Sequence, residues 1–345
     1  MTSCGASSAR PAGGCNVRRP RVRPVRWSPP PVRALPEFGP ADLTVVDMPG
    51  EAPEDVVVDA DGFVWTGLAD GRVVRVDPDG ATRVVADTGG RPLGMSVARD
   101  GRLLICDSPR GLLAMDPDTG TLDVLVDTVD GRRLQFCSNV TETPDGAIYF
   151  TESTAAFSYA HFKAAILEAR GDGALHRRDP DGSVTTVARG LYFANGVTPT
   201  ADGEALVFAE TQGRRLSKYW LTGARAGTVT ELATALPGMP DNLSTGADGR
   251  IWCAFVSPVN AAADWLAPRS PLLRKVVWRL PERWQPQIEP VVWAVAFDAD
   301  SGEAVSGLRL THPEFGLVTG LVEHDGRLWL GSIGSAALAH CALPQ

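Results

Sequence analysis

Four oxygen-bearing side chains, Glu54, Ser138, Asn195 and Asp241, each stand eight residues before the glycine of an Asp-Gly pair. Asp55, Asn139 and Asn242 follow three of them directly, so the offset gathers carboxylates, amides and a hydroxyl, with no imidazole or thiol. If those glycines mark equivalent points of a closed repeat, the oxygens converge on one axis. Burying Glu54 and Asp241 side by side is costly, because like charges raise each other's pKa. A divalent cation removes that cost. Carboxylate plus amide oxygen suits calcium or magnesium rather than zinc or copper. The candidate metal ligands are therefore Glu54, Asn195, Asp241 and Asn242, with Ser138 or Asn139. The alternative is a hydrogen-bonded polar plug without metal.

The elements that must position these residues follow from the same glycines. Gly62, Gly101, Gly146, Gly203, Gly249 and Gly326 each close an Asp-Gly turn that leads into alternating apolar residues, as in DADGFVWTG and GADGRIWCAF. Such a turn marks a hairpin entering a strand. Three residues after each glycine comes a large apolar side chain: Trp65, Leu104, Tyr149, Leu206, Trp252 and Trp329. A second turn (Asp77–Gly80, Asp116–Gly120, Asp179–Gly182, Asp298–Gly302) leaves room in most repeats for four short strands. Four-stranded repeats of this length are propeller blades, so the spacing predicts an all-β, six-bladed β-propeller. Eight residues before the other two glycines stand Leu93 and Val318.

Two segments interrupt the repeat. Phe157–Gly173 has helical character, and Ser257–Gln287 carries a helix candidate at Leu272–Leu280. Both should sit as partly helical lids over one face, where variable loops shape binding sites. The second mixes Trp265, Leu272, Val276 and Trp284 with Arg269, Lys275, Arg279 and Arg283, a pattern that allows peripheral membrane contact, although packing on the propeller is the plainer expectation. Residues 1–38 read as a disordered Arg/Pro-rich arm and residues 39–345 as the propeller.

Composition bounds the function. The net charge of −8 argues against a nucleic-acid partner. The five His and six Cys never fall at zinc-ligand spacing. There is no GxSxG elbow, P-loop, GxGxxG or HExxH, so nucleophilic Ser or Cys catalysis has no support, and Cys137 and Cys253 read as small core residues. No apolar run approaches 18 residues, and no apolar leader core precedes the repeat. Of 33 basic residues only Lys163, Lys218 and Lys275 are Lys. That bias, with the scattered Cys, suggests a soluble bacterial cytoplasmic protein.

The spellings around the ring carry a resemblance. GRPLGMSVARDGRLLICD, FCSNVTETPDGAIYFTES, GLYFANGVTPTADGEALVFAETQGRRLSKYW and LPGMPDNLSTGADGRIWCAF resemble the strictosidine-synthase-like family, in particular its branch with the animal adipocyte plasma membrane-associated protein. The likeness runs from about Leu43 to Leu343. It implies kinship with the gluconolactonases and paraoxonases, six-bladed propellers holding calcium in a central channel, and matches Glu54, Asn195, Asp241 and Asn242 to their ligands. Three departures stand out. Ser138-Asn139 replaces an Asn-Asp pair, Thr319 replaces the synthases' catalytic Glu, and Leu93 replaces the paraoxonases' His. The remaining route is calcium-dependent hydrolysis of an ester or lactone, a partly apolar small-molecule substrate, with Asp241 as ligand and catalytic base. Two others stay open: a non-catalytic propeller binding a small molecule or protein, and a synthase-type condensation, which Thr319 disfavours because it cannot act as a base near neutral pH.

Overall fold

All six turn glycines adopt a left-handed backbone, with φ between +69° and +86°. Glycine alone enters that region without steric cost, which is why the repeat cannot dispense with it. In the first turn Asp59 fixes the chain, its Oδ1 accepting from Asp61 N and Phe63 N at 3.0 Å each. The strands on either side then pair as antiparallel hairpins.

The computed structural model describes residues 19–344. It contains six four-stranded antiparallel sheets arranged as a β-propeller. The innermost strands are Val57–Val58, Pro92–Val97, Cys137–Glu142, Ala194–Pro199, Gly238–Thr245 and Val318–His324 for blades one to six. Blades one to five are continuous in sequence. Blade six takes its outermost strand, Thr44–Asp47, from the N-terminal side of the chain and pairs it with Ala337–Ala342.

A separate apolar cluster fills each contact between neighbouring blades. Trp65, Leu104, Tyr149, Trp252 and Trp329 each enter the cluster shared with the following blade, so the position three residues past the turn holds the ring together. Truncating a fully buried Trp such as Trp252 to Ala should cost about 3–5 kcal/mol.

Both insertions join the second and third strands of their blades, between Ile148–Glu152 and Gly173–Arg178 and between Ile251–Pro258 and Val292–Phe297. That end is opposite the Asp-Gly turns, so the lids cover the end where the innermost strands begin. Helix α1 (Phe162–Glu168) belongs to the first lid, and α2 (Ala261–Leu266) and α3 (Pro271–Arg279) to the second. Asn260 caps α2 through Ala263 N at 3.0 Å, and Ser270 caps α3 ahead of a proline in its first turn. Helix α3 buries Trp278 but leaves Leu272 70% and Val276 56% exposed, with Trp265 and Trp284 exposed nearby. Packing on the propeller therefore takes up only part of its apolar side.

The arm expected to be disordered differs from that expectation from residue 19 on. It runs as extended chain across the lids, with Val22 buried among Phe157, Ala165 and Trp278. Val25 N donates to Glu168 O at 2.9 Å, Arg33 N to Ala235 O at 2.6 Å, and Trp278 Nε1 to Pro20 O at 3.0 Å. Proline-rich chain needs few partners for its own N–H groups, and its extended carbonyls are free to accept from the lids. Residues 1–18 lie outside the described residues.

Candidate metal centre

The ring positions owe their direction to a repeated irregularity. In blades two to five the strand ladder skips the residues between Pro92 and Met95, Cys137 and Val140, Ala194 and Val197, and Pro240 and Leu243. Each gap is a β-bulge of two residues, which re-aims side chains toward the channel. Leu93-Gly94, Ser138-Asn139, Asn195-Gly196 and Asp241-Asn242 occupy these bulges. In blade six the gap falls between Val318 and Leu321, so its bulge is Thr319-Gly320. Counting eight residues back from Gly326 thus lands one residue early, on a paired Val318. In blade six the stretch from the bulge to the turn glycine is one residue shorter than in blades two to five, and Thr319 is the true ring position.

Two layers result. Glu54, Ser138, Asn195, Asp241 and Thr319 line one cavity of about 70 Å³, closed above by Phe136, Tyr159, Phe162 and Ile166. Leu93, the sixth ring position, is buried in the lid core instead. Asp55, Asn139 and Asn242 form a second layer, where they alternate with Gly94, Gly196 and Gly320. A Cβ on those glycines would stand 2.6, 2.6 and 2.5 Å from the Cα atoms of Asn139, Asn242 and Asp55, so three polar residues fit only because three neighbours have no side chain. Glu54, Ser138, Asn195 and Asp241 thus share a cavity, whereas Asn139 and Asn242 belong to the layer beside it.

Hydroxyls of adjoining strands pin the ring backbone. Thr319 Oγ1 donates to Glu54 O at 2.6 Å, Thr151 Oγ1 to Asn195 O at 2.7 Å, and Thr211 Oγ1 to Pro240 O at 2.7 Å. Ser138 Oγ donates to Asn195 Oδ1 at 3.0 Å, and Asn195 Nδ2 to Thr211 Oγ1 at 3.1 Å. In the second layer Asp55 Oδ2 accepts from Met95 N at 2.9 Å, and Asn139 Oδ1 from Val197 N at 3.2 Å.

The carboxylates are under electrostatic stress. Burial, then the neighbouring charges of Asp241 and Asp55, hold the Glu54 carboxyl well above the usual carboxylate range. Burial, then Asp55, does the same to Asp241. Burial pushes Asp55 up to about 7. Glu54 Oε2, Asp241 Oδ1 and both polar side-chain atoms of Asn242 have no hydrogen-bond partner. Orphaned buried oxygens beside stressed carboxylates are what a hard divalent cation would satisfy, so the residues present fit such an ion. Among the described residues no three His, Cys, Asp or Glu cluster as a metal site. The set is two carboxylates completed by amide and hydroxyl oxygens.

Residues missed by the sequence reading lie around this cavity. Thr151 and Thr211 were invisible because a lone Thr in a strand carries no motif. Tyr159, Phe162, Phe193 and Ile288 reach the cavity from loops and lids, whose placement no periodicity encodes. The lids enclose a second, mainly apolar groove of about 170 Å³, which shares Phe162, Ile166, Met239 and Ile288 with the channel cavity.

Residues 52–262 match the SMP-30/gluconolactonase/LRE-like region. The chain is 34% identical to the Arabidopsis thaliana protein strictosidine synthase-like 6 over 289 residues, covering 81% of this chain and 76% of the relative. It is 31% identical to the adipocyte plasma membrane-associated protein of Salmo salar, covering 85% and 76%. These plant and animal relatives give no support to the expected bacterial origin. Among solved structures, a Xanthomonas campestris gluconolactonase superposes with a TM-score of 0.65 at 20% identity, covering 96% of this chain and 100% of that one. The calcium-binding regucalcin of Agrobacterium tumefaciens superposes with a TM-score of 0.63 at 18% identity, covering 90% and 96%. The bulged ring, the Asp-Gly repeat and the curated relatives agree: the chain belongs to the strictosidine-synthase-like proteins, within the SMP-30/gluconolactonase/LRE-like propellers.

Proposed function

We propose that the protein is a metal-dependent hydrolase of an ester or lactone, with calcium as the ion. The observation that carries this reading is the pair of buried carboxylates, Glu54 and Asp241, each with an unpartnered oxygen in one lidded cavity. Glu54, Asn195 and Asp241 would hold the ion, with Ser138 as a weaker hydroxyl ligand and Asn139 and Asn242 supporting from the second layer. When bound, the ion would polarise a substrate carbonyl and acidify water. Asp241 would take a proton from the attacking water as its oxygen bonds to the carbonyl carbon. The ester C–O bond then breaks, and the released alcohol oxygen takes up a proton. Asn195, tied by Ser138 and Thr211, orients Asp241. Tyr159, Phe162 and Ile166 exclude bulk water.

The structural kinship with a calcium-binding regucalcin supports the choice of ion. A non-catalytic small-molecule binder is the second reading, favoured by Leu93, which puts an apolar side chain at one ring position. Synthase-type condensation gains nothing from Thr319, whose hydroxyl is committed to Glu54 O. No helix among the described residues is long and apolar enough to cross a membrane. The exposed Trp265, Leu272, Val276 and Trp284, beside Arg269 and Lys275, would suit peripheral contact with an anionic lipid surface.

The test is hydrolysis of aryl esters and lactones with calcium and with EDTA. We expect chelator-sensitive turnover, lowered at least about 100-fold in Asp241→Ala. Turnover indifferent to both chelator and Asp241→Ala would refute the reading.

A further inference from the structure

Extended chain turns alternate side chains to opposite sides. In the arm Pro20, Val22 and Pro24 face inward, and Arg19, Arg21 and Arg23 are left exposed on the other side. Helix α3 presents Lys275 and Arg279 to them, one turn apart. These five cations, with the Trp278 indole, line one open cavity of about 430 Å³. It shares no residue with the channel cavity and meets the lid groove only through Trp278. The arm is fastened here: Arg19 Nη1 donates to Trp278 O and Leu280 O at 2.7 Å each, and Trp278 Nε1 to Pro20 O at 3.0 Å.

The charge of this cavity is uncompensated. Among the described residues none of the five cations pairs with a carboxylate, and the acids bordering the arm and α3 are engaged. Glu168 accepts from Arg23 N and from Arg170 Nε, the latter at 2.7 Å, and Glu282 accepts from Lys163 Nζ at 2.8 Å. Residues 1–18 contain no Asp or Glu, so the rest of the arm brings no counter-charge. Elsewhere on this chain of net charge −8, surface arginines sit on local acids, as Arg72 does on Asp70 and Arg177 on Asp179. The dipole of α3 favours cations at its C-terminal end, which accounts for Arg19 and Arg279. It does nothing for Arg21 or Arg23, and Lys275 and Arg279, four residues apart, repel each other.

We propose that the cavity between the arm and α3 binds a polyphosphorylated ligand, an inositol-phosphate-type group with at least two phosphates. One phosphate monoester carries about 1.5–2 negative charges, so a single one leaves most of five cations unanswered, and two or three match them. Guanidinium forks suit phosphate oxygens bidentately. Two sources share this chemistry, a lipid headgroup and a soluble phosphate ester. Leu272, Lys275, Val276 and Arg279 follow the i, i+3, i+4, i+7 spacing of one helical stripe, so the exposed Leu272 and Val276 would meet the chains of a lipid held by Lys275 and Arg279. The site stands apart from the hydrolase reading and does not depend on it.

Titration calorimetry on the full chain tests this with inositol 1,4,5-trisphosphate, and with unphosphorylated inositol as the blank. EDTA is present, so that a metal in the channel cannot hold the phosphates. The wild type should bind the trisphosphate and not inositol. Arg21→Gln with Arg279→Gln should weaken binding at least about tenfold. Arg83→Gln with Arg327→Gln, which removes the same charge from exposed positions outside the cavity, should change it less than about twofold. A wild type that ignores the trisphosphate overturns the proposal, as does equal weakening by both pairs. Where the Arg21 and Arg279 pair loses its native melting transition, Lys275→Gln takes its place, with the same weakening expected. Pelleting with phosphatidylcholine vesicles identifies the source, the vesicles carrying either phosphatidylinositol 4,5-bisphosphate or phosphatidylserine at equal charge. A preference of at least about tenfold for the bisphosphate, lost in Arg21→Gln with Arg279→Gln, marks a lipid headgroup. Trisphosphate binding without that preference marks a soluble ligand.

Discussion

Replacing Asp55 by Asn should stabilise the metal-free protein, by more as the pH rises. Asp55 is held at about 7 against an ordinary value of 3.8, mainly by burial. A raised carboxyl binds its proton more tightly folded than unfolded. Stability is therefore lost as pH climbs from about 4 through about 7, and the full loss, about 4 kcal/mol, is reached above that window. Asn removes the ionisation and should recover about 2 kcal/mol at pH 5 and about 4 kcal/mol at pH 8. Its geometry is tolerable. The amide oxygen can still accept from Met95 N, and the new N–H₂ stands beside Asn242, whose side-chain oxygen is unpartnered. Removing the charge also relieves Glu54 and Asp241, both of which it raises. Urea unfolding of both proteins in EDTA at pH 5 and pH 8 measures the gap. If Asp55→Asn is no more stable at pH 8, or the gap is the same at both pH values, the electrostatic account of the channel is wrong.

Two other perturbations probe the same face. Ser138→Asn exchanges a hydroxyl for an amide oxygen and should tighten calcium about tenfold by calorimetry, worth about 1.4 kcal/mol at a fixed calcium concentration; an unchanged Kd would take residue 138 out of the coordination sphere. The wild type should co-sediment with phosphatidylserine vesicles, and Trp265→Ser with Leu272→Ser should cut that binding at least about tenfold; equal sedimentation of both would leave the lid patch without a lipid role.

The blade count, the two lids and the α3 helix were legible because each obeys a period or a turn grammar. Turn glycines need a left-handed backbone whatever their surroundings, so Gly62 and its five counterparts announce themselves. The ring was legible for the same reason, as a fixed offset from those turns. That ruler failed once, in blade six, where a shorter turn moved the bulge from Val318 to Thr319. The alternation of Asp55, Asn139 and Asn242 with Gly94, Gly196 and Gly320 stood in the sequence, but its meaning needs the spacing between neighbouring strands. The arm misled for a related reason: polar, Pro-rich chain looks unable to fold alone, and its partners are lid carbonyls and amides more than 100 residues away.

Blade six sets a clock on synthesis. Thr44–Asp47 cannot pair until Ala337–Ala342 exists, about 290 residues later. At roughly 5–20 residues per second that is about 15–60 seconds on the ribosome. Throughout that interval Thr44–Asp47 lacks this strand partner, and the exposed flank of blade one waits for Trp329 and Leu338. Unpaired strand edges of this kind invite pairing with other chains. The ring thus gains a closed, edge-poor final state at the expense of a long open one, and its yield in the cell should depend more on what shields the nascent blades than on how stable the finished propeller is.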